Sequence, residues 1–156
     1  IYMTLYVVMN IAIFTIILSL KRDDNFIENI GEFSGLSKHK PLVALSIAII
    51  MFSMAGIPPF AGFFGKFYIF MAAVEADLIL LAVLGVISSV ISAYYYLRII
   101  KIMYFDENKS SSFHLNLSSK SFFILVLSIL FINFFNFYPS SLTAIASNIG
   151  VNYFNN

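Results

Sequence analysis

Four long apolar runs in 156 residues, with one lysine set inside the second, limit what this chain can become. The runs cover residues 1–20, 41–77, 79–104 and 121–138. At 1.5 Å per residue, about twenty helical residues match a hydrocarbon layer of about 30 Å. Hydrophobic residues make up 60% of the chain and charged ones 11%, against about 45–50% and about 25% in a soluble domain. Because the excess lies in continuous runs, the solvent for most side chains is lipid. The pattern predicts an all-α transmembrane helix bundle of about four spans, one membrane-embedded unit over residues 1–156. The first run begins mid-stride at Ile1, which suggests a piece of something longer.

The second run carries the strongest local signal. It opens at Pro41, suited to a first helical turn because its missing N–H costs nothing there. It then meets AGIPPFAG at 55–62. Two successive prolines cannot continue a regular helix, since each lacks a donor and clashes with the preceding turn. The chain resumes as GFFGKFYIF and reaches acids at Glu75 and Asp77. Gly56, Pro58, Pro59, Gly62 and Gly65 are therefore assigned to a helix break. Lys66 is the only cation between Pro41 and Arg98. A charge at such a place costs about 2.5–3.5 kcal/mol on insertion scales, so it is a functional candidate.

Charge placement decides whether 41–77 crosses once or twice. Apart from Lys66, every cation flanks one of two loops: Lys21, Arg22, Lys38 and Lys40 the first, Arg98, Lys101, Lys109 and Lys120 the second. The corner at Glu75 and Asp77 has none. The positive-inside rule puts both basic loops, 21–40 and 98–120, on the cytoplasmic or matrix face. With 79–104 crossing once, 41–77 must cross once too, as 41–56, a break at Gly56–Pro59, and 62–77. Lys66 then lies about 14–17 Å from the acids, near the midplane. Unwound backbone at that depth is how transporters build ion sites.

The remaining features are read as structural. Asn10 is expected to make an interhelical hydrogen bond, with a place on a polar path as the alternative. In the loop 21–40, Phe26, Ile27, Ile30 and Phe33 recur at helical spacing and suggest a short helix on the membrane surface; Asp23, Asp24, Glu28 and Glu32 form a solvated face. Gly85, Ser88, Ser89 and Ser92 point to close helix packing. Tyr94, Tyr95 and Tyr96 precede Arg98 and Lys101, an aromatic-then-basic ending typical of a membrane interface. The fourth run, with Asn133 and Asn136 its polar residues, is a peripheral packing helix stopped by Pro139. After a polar loop at 105–120, the tail shows a weak face of Leu142, Ile145, Ala146 and Ile149. Glu75 and Asp77 are boundary residues, with a proton exit as the alternative.

Several functions are excluded. There is no cysteine, so thiolate metal sites and disulfides are out. His39 and His114 sit in loops and form no metal cluster. A net charge of +1 without a basic patch argues against nucleic acid. What remains is proton chemistry. An ammonium away from water loses its proton more readily, because desolvation disfavours the charged form. Such a group can load a proton from one side and release it to the other. The rival readings of Lys66 are a fixed ion pair or a side chain that snorkels.

The segments AGIPPFAGFFGKFYIF and SAYYYLRIIKIMYF resemble the C-terminal part of subunit N of respiratory complex I, the NADH:quinone oxidoreductase, homologous to mitochondrial NADH dehydrogenase subunit 2. The resemblance covers nearly the whole chain and is most specific over 41–105. It implies an antiporter-like subunit with two broken helices related by an inverted repeat, in which Lys66 is the proton carrier of the second. Lysine there, rather than glutamate, favours subunit N over subunit M. It further implies that this chain is about the last four of roughly fourteen helices, that a separate or missing N-terminal portion carries the rest, and that other membrane-arm subunits are partners. The membrane is then a bacterial inner membrane or, alternatively, the mitochondrial one. NADH, flavin, iron–sulfur clusters and quinone are expected in other subunits, since no glycine-rich nucleotide fingerprint or cysteine is present here. The alternatives are a sodium/proton antiporter subunit and a non-pumping remnant.

Overall fold

The structure, a computed structural model, describes residues 2–22, 25–106, 113–115 and 118–137. Asp23, Asp24, Lys109, Pro139 and the tail face of Leu142, Ile145, Ala146 and Ile149 lie outside the described residues, as do the side chains of Asn133 and Asn136.

Helix α1 (Tyr2–Ser19) is apolar on every side. Leu5, Met9, Ala12, Ile13 and Ile16 are buried, while Met3, Val7, Ile11, Phe14 and Leu18 form an exposed stripe opposite. A helix hydrophobic all round belongs in a membrane or a large core. With Met3 and Leu18 about two-thirds exposed (67% and 68%), this stripe faces lipid or other helices. The later helices are α2 (Leu36–His39), α3 (Pro41–Ala55), α4 (Ala61–Glu75), α5 (Ile79–Phe105) and α6 (Ser119–Phe137). At 27 residues, α5 is about 40 Å long and outreaches the hydrocarbon layer. α3 and α4, at 15 residues or about 22 Å each, are both too short to span alone.

Together α3 and α4 run in one direction beside α5. Phe70 packs on Gly85, Lys66 shares a cleft with Ser89 and Ala93, and the far end of α5 lies against α3, α2 and the 30–33 turn. α1 runs antiparallel to the same pair: Tyr2 and Leu5 meet Gly65, while Ile16 lies beside Pro41 and Val43. The bundle is all-α with about four spans, and the second is discontinuous between Gly56 and Phe60.

The first loop corrects the expectation of a surface helix. Leu20–Arg22 (β1) and Asn25–Phe26 (β2) pair antiparallel, Lys21 opposite Phe26. Phe113–Leu115 (β3) adds to the other side of β1, with Lys21 opposite His114. Among the described residues of this loop, Ile30–Phe33, as a 3₁₀ turn, and α2 are the helical parts. Two loops far apart in sequence thus satisfy each other's backbone groups, an option that local periodicity does not reveal. The pairing also brings both basic loops to one end of the bundle. Lys21 lies over the Phe26 ring, Arg22 over Phe113, and the Arg22 guanidinium donates to the Glu32 carbonyl at 2.6 Å.

Glu32 holds the 28–33 turn. Its carboxylate accepts the Glu28 N–H at 2.9 Å and the Asn29 side-chain amide at 3.2 Å. These bonds, that from the Glu28 N–H foremost, favour the charged form and hold its pKa below the usual carboxylate value. A folded pKa below the unfolded one gives stabilisation that is present above the unfolded value and lost as pH falls through the folded one. The protection factors of the Glu28 and Asn29 amides, each rate taken relative to its intrinsic rate at the same pH, should therefore fall on acidification below about pH 4. Glu32→Gln should exchange fast already at pH 7; unchanged protection in that variant would remove this role.

Candidate functional site

The break is made by local chemistry. α3 ends at Ala55 because Gly56 turns left-handed, with φ 82° and ψ 38°. Its N–H returns to the Phe52 and Ser53 carbonyls at 3.1 and 3.0 Å, and the Ile57 N–H reaches Phe52 at 3.2 Å. Left-handed closure of this kind is where glycine is preferred. Pro58 and Pro59 follow, joined by a cis bond, with no N–H to offer. Phe60, whose N–H bonds the Ile57 carbonyl at 3.0 Å, leads into α4.

The two half-helices cross at Ser53 and Gly62. The Gly62 N–H donates to the Ser53 hydroxyl at 3.0 Å, satisfying one of the unpaired amides at the start of α4. Ser53 is fully buried. A Cβ on Gly62 would sit 1.7 Å from the Ser53 carbonyl oxygen, so only glycine allows this approach. Ser53→Ala leaves that buried N–H without an acceptor and should cost about 1–3 kcal/mol, read as a lowered thermal midpoint of the assembled protein. No change would mean that the bond is replaced by water.

Lys66 comes one turn after Gly62 and folds back across the break. Its methylenes cover Gly56, where an added Cβ would lie 3.0 Å from Lys66 Cδ. Its Nζ donates to the Ala55 carbonyl at 3.2 Å. That carbonyl belongs to the last residue of α3, where the helix carries about half a negative charge. Among the described residues no carboxylate comes within ion-pair range of Lys66. The ammonium therefore rests on a helix C-terminus, rather than on the partner acid that a fixed ion pair requires.

Two clefts flank this half-buried lysine. One, of about 270 Å³, is lined by Phe63, Phe67, Phe70, Val86 and Val90. The other, of about 190 Å³, is lined by Tyr2, Gly85, Ser88 and Ser89. Ser89 borders both. It lies about ten residues, some 14–15 Å, from Ile79 on one side and Arg98 on the other. Lys66 lies at the level of Ser89, beside the body of α5 rather than either end of it.

Other sequence-assigned residues take different places. Gly62 and Gly65 are both inside α4, after the break; the missing side chain of Gly65 admits α1, since a Cβ there would lie 3.2 Å from Leu5 and 3.4 Å from the Tyr2 ring. Tyr94 and Tyr95 are exposed, but Tyr96 turns inward and packs toward α1. Among the described residues Asn10 bonds within its own helix, its amide donating to the Tyr6 carbonyl at 2.8 Å. Ser88 and Ser92 likewise bond their own backbone, and the close packing falls to Gly85, against Phe70. Glu75 and Asp77 are exposed at the α4–α5 turn, Asp77 with φ 59°. The reading from residues missed Ser53 and the Ala55 carbonyl. The available signal was that small residues, Ser53 and Gly62, stand on both sides of the proline pair.

Residues 1–92 match the family model described as NADH:quinone oxidoreductase/Mrp antiporter, transmembrane. NADH-quinone oxidoreductase subunit N of Parvibaculum lavamentivorans is 51% identical over 142 residues, covering 91% of this chain and 29% of that protein. The subunit N of Pelagibacter ubique is 48% identical over 153 residues, covering 97% of this chain and 32% of that protein. The chain thus spans about a third of the length of these curated relatives. Among solved structures, a chain of respiratory complex I from Thermus thermophilus with bound aureothin superposes with a TM-score of 0.73 at 25% identity, over 88% of this chain and 31% of that one.

Proposed function

The chain belongs to the family of membrane subunits shared by NADH:quinone oxidoreductases and Mrp antiporters, and from that premise we propose that it is the C-terminal, proton-carrying part of a complex I subunit N, with Lys66 taking up and releasing the proton. The observation that carries the reading is the lysine laid across a broken helix and held by the Ala55 carbonyl. A protonated Nζ is drawn to the negative end of α3. A neutral amine is held there less strongly and is free to turn toward the cleft bearing Tyr2, Ser88 and Ser89. Burial makes each protonation state sensitive to charges arriving nearby, because the surrounding dielectric is low. Redox work in partner subunits would supply those charges.

In this reading the flavin, iron–sulfur clusters, NADH and quinone belong to other subunits of the complex, and further antiporter-like helices complete the proton path. The basic loops face the cytoplasm or matrix. Relatives at about half identity named as subunit N favour this assignment over a sodium/proton antiporter subunit. The two differ in whether the chain copurifies with quinone-reductase subunits. The functional test is proton uptake by proteoliposomes carrying the assembled complex, wild type against Lys66→Met. Uptake at the wild-type rate in that variant would leave the chain a packing element without a part in transport.

A further inference from the structure

A second feature lies at the other end of the bundle from the α4–α5 turn. Between α1, α3 and α6 a cavity of about 410 Å³ opens beside His39 and Lys40. Below its mouth the walls are apolar: Ile16, Leu42, Val43, Phe122 and Leu125. Ser46 is there too, but its hydroxyl is spent on the Leu42 carbonyl at 2.9 Å. Ser46 also borders a separate, smaller space of about 50 Å³ in the seam between α3 and α6, lined by Ile49, Ile50, Ile129 and Ile132. From Lys40 to Ile50 is about 15 Å along the helix, half a hydrocarbon layer.

We propose that this seam holds one acyl chain of an anionic phospholipid, whose phosphate is met by Lys40 and His39. Three observations converge on that occupant. The groove follows α3 from His39 to Ser46, as lipid tails follow helices, and points toward the space beside Ile49 and Ile50. Its mouth sits at the end where the basic loops meet. Among the described residues no carboxylate lines it: Glu32 is engaged by the 28–29 amides, and Asp106 pairs with Lys101 at 3.1 Å. A cationic mouth over an apolar slot complements a phosphate joined to a hydrocarbon tail. The proposal is independent of the role given to Lys66.

The test uses the assembled complex in phosphatidylcholine nanodiscs doped with phosphatidylglycerol that carries a photoactivatable diazirine at the end of one tail. Lipid adducts are expected on Ile49, Ile50, Ile129 and Ile132, several-fold more than with the same diazirine on phosphatidylcholine. The double variant His39→Gln, Lys40→Gln should lose that preference. Ser46→Phe, which blocks the slot, should lower adducts on Ile129 and Ile132 while those on the exposed face of α5 stay constant. Equal labelling by both lipids, or labelling insensitive to the mouth variants, would mean general annular lipid and overturn the proposal. A protein–protein crosslink in the seam would overturn it in favour of a partner helix.

Discussion

Gly62→Ala is expected to be the most damaging single-methyl change in the described part of the chain. The added carbon would sit 1.7 Å from the Ser53 carbonyl oxygen and 2.7 Å from the carbonyl carbon. Both are backbone atoms at the centre of α3's last turns, so no rotamer change relieves the contact. The half-helices would have to separate by more than an ångström. That would break the Gly62 N–H bond to Ser53 and open the buried packing of Ala55 and Ala61. Overpacking of this kind costs about 3 kcal/mol or more. A comparison with Gly31→Ala makes the prediction sharp, because nothing lies within 4 Å of the Cβ position at Gly31. The expected result is a strongly lowered thermal midpoint or loss of the chain from the membrane for Gly62→Ala, and wild-type behaviour for Gly31→Ala. Ser53→Ala should not rescue it, since the obstacle is the Ser53 backbone. Equal stability of the two glycine variants would show that α3 and α4 do not cross as described.

What the residues disclosed of this arrangement, and what they withheld, follows from range. The break was legible because proline lacks a donor and glycine tolerates a left-handed turn, both local properties of Gly56, Pro58 and Pro59. Lys66 stood out because a charge in an apolar run is costly wherever it points. Its partner was not legible. Reaching the Ala55 carbonyl depends on how the chain turns through 56–60, and no pairing rule based on side-chain charge includes a main-chain acceptor. The β1–β3 pairing joins Leu20–Arg22 to a segment about ninety residues away. Three-residue strands carry no periodicity, so Phe26, Ile27, Ile30 and Phe33 suggested a helix instead. Tyr96 was grouped with Tyr94 and Tyr95 by adjacency, but successive residues of a helix face different ways, and only Tyr96 meets α1.

Lys66 variants separate two jobs that one side chain performs. The ammonium stabilises the end of α3 by donating to Ala55, and in the proposed function it also exchanges a proton. Methionine keeps much of the length and removes both. Proton uptake in Lys66→Met should fall at least about tenfold, with a stability loss of about 1–3 kcal/mol from the missing charge-assisted bond. Arginine keeps a donor and a positive charge but does not deprotonate in proteins. Lys66→Arg should therefore restore stability toward wild type and leave proton uptake as low as in Lys66→Met. Glutamate is the informative third case. Its protonated form can donate to the Ala55 carbonyl, whereas its ionised form is repelled by the α3 terminus. Lys66→Glu should keep partial transport with an altered pH profile. If the lysine only caps α3, arginine recovers transport together with stability, and glutamate, ionised and repelled, recovers neither. Transport in Lys66→Arg equal to wild type would thus assign the residue to structure and remove the proton from its role.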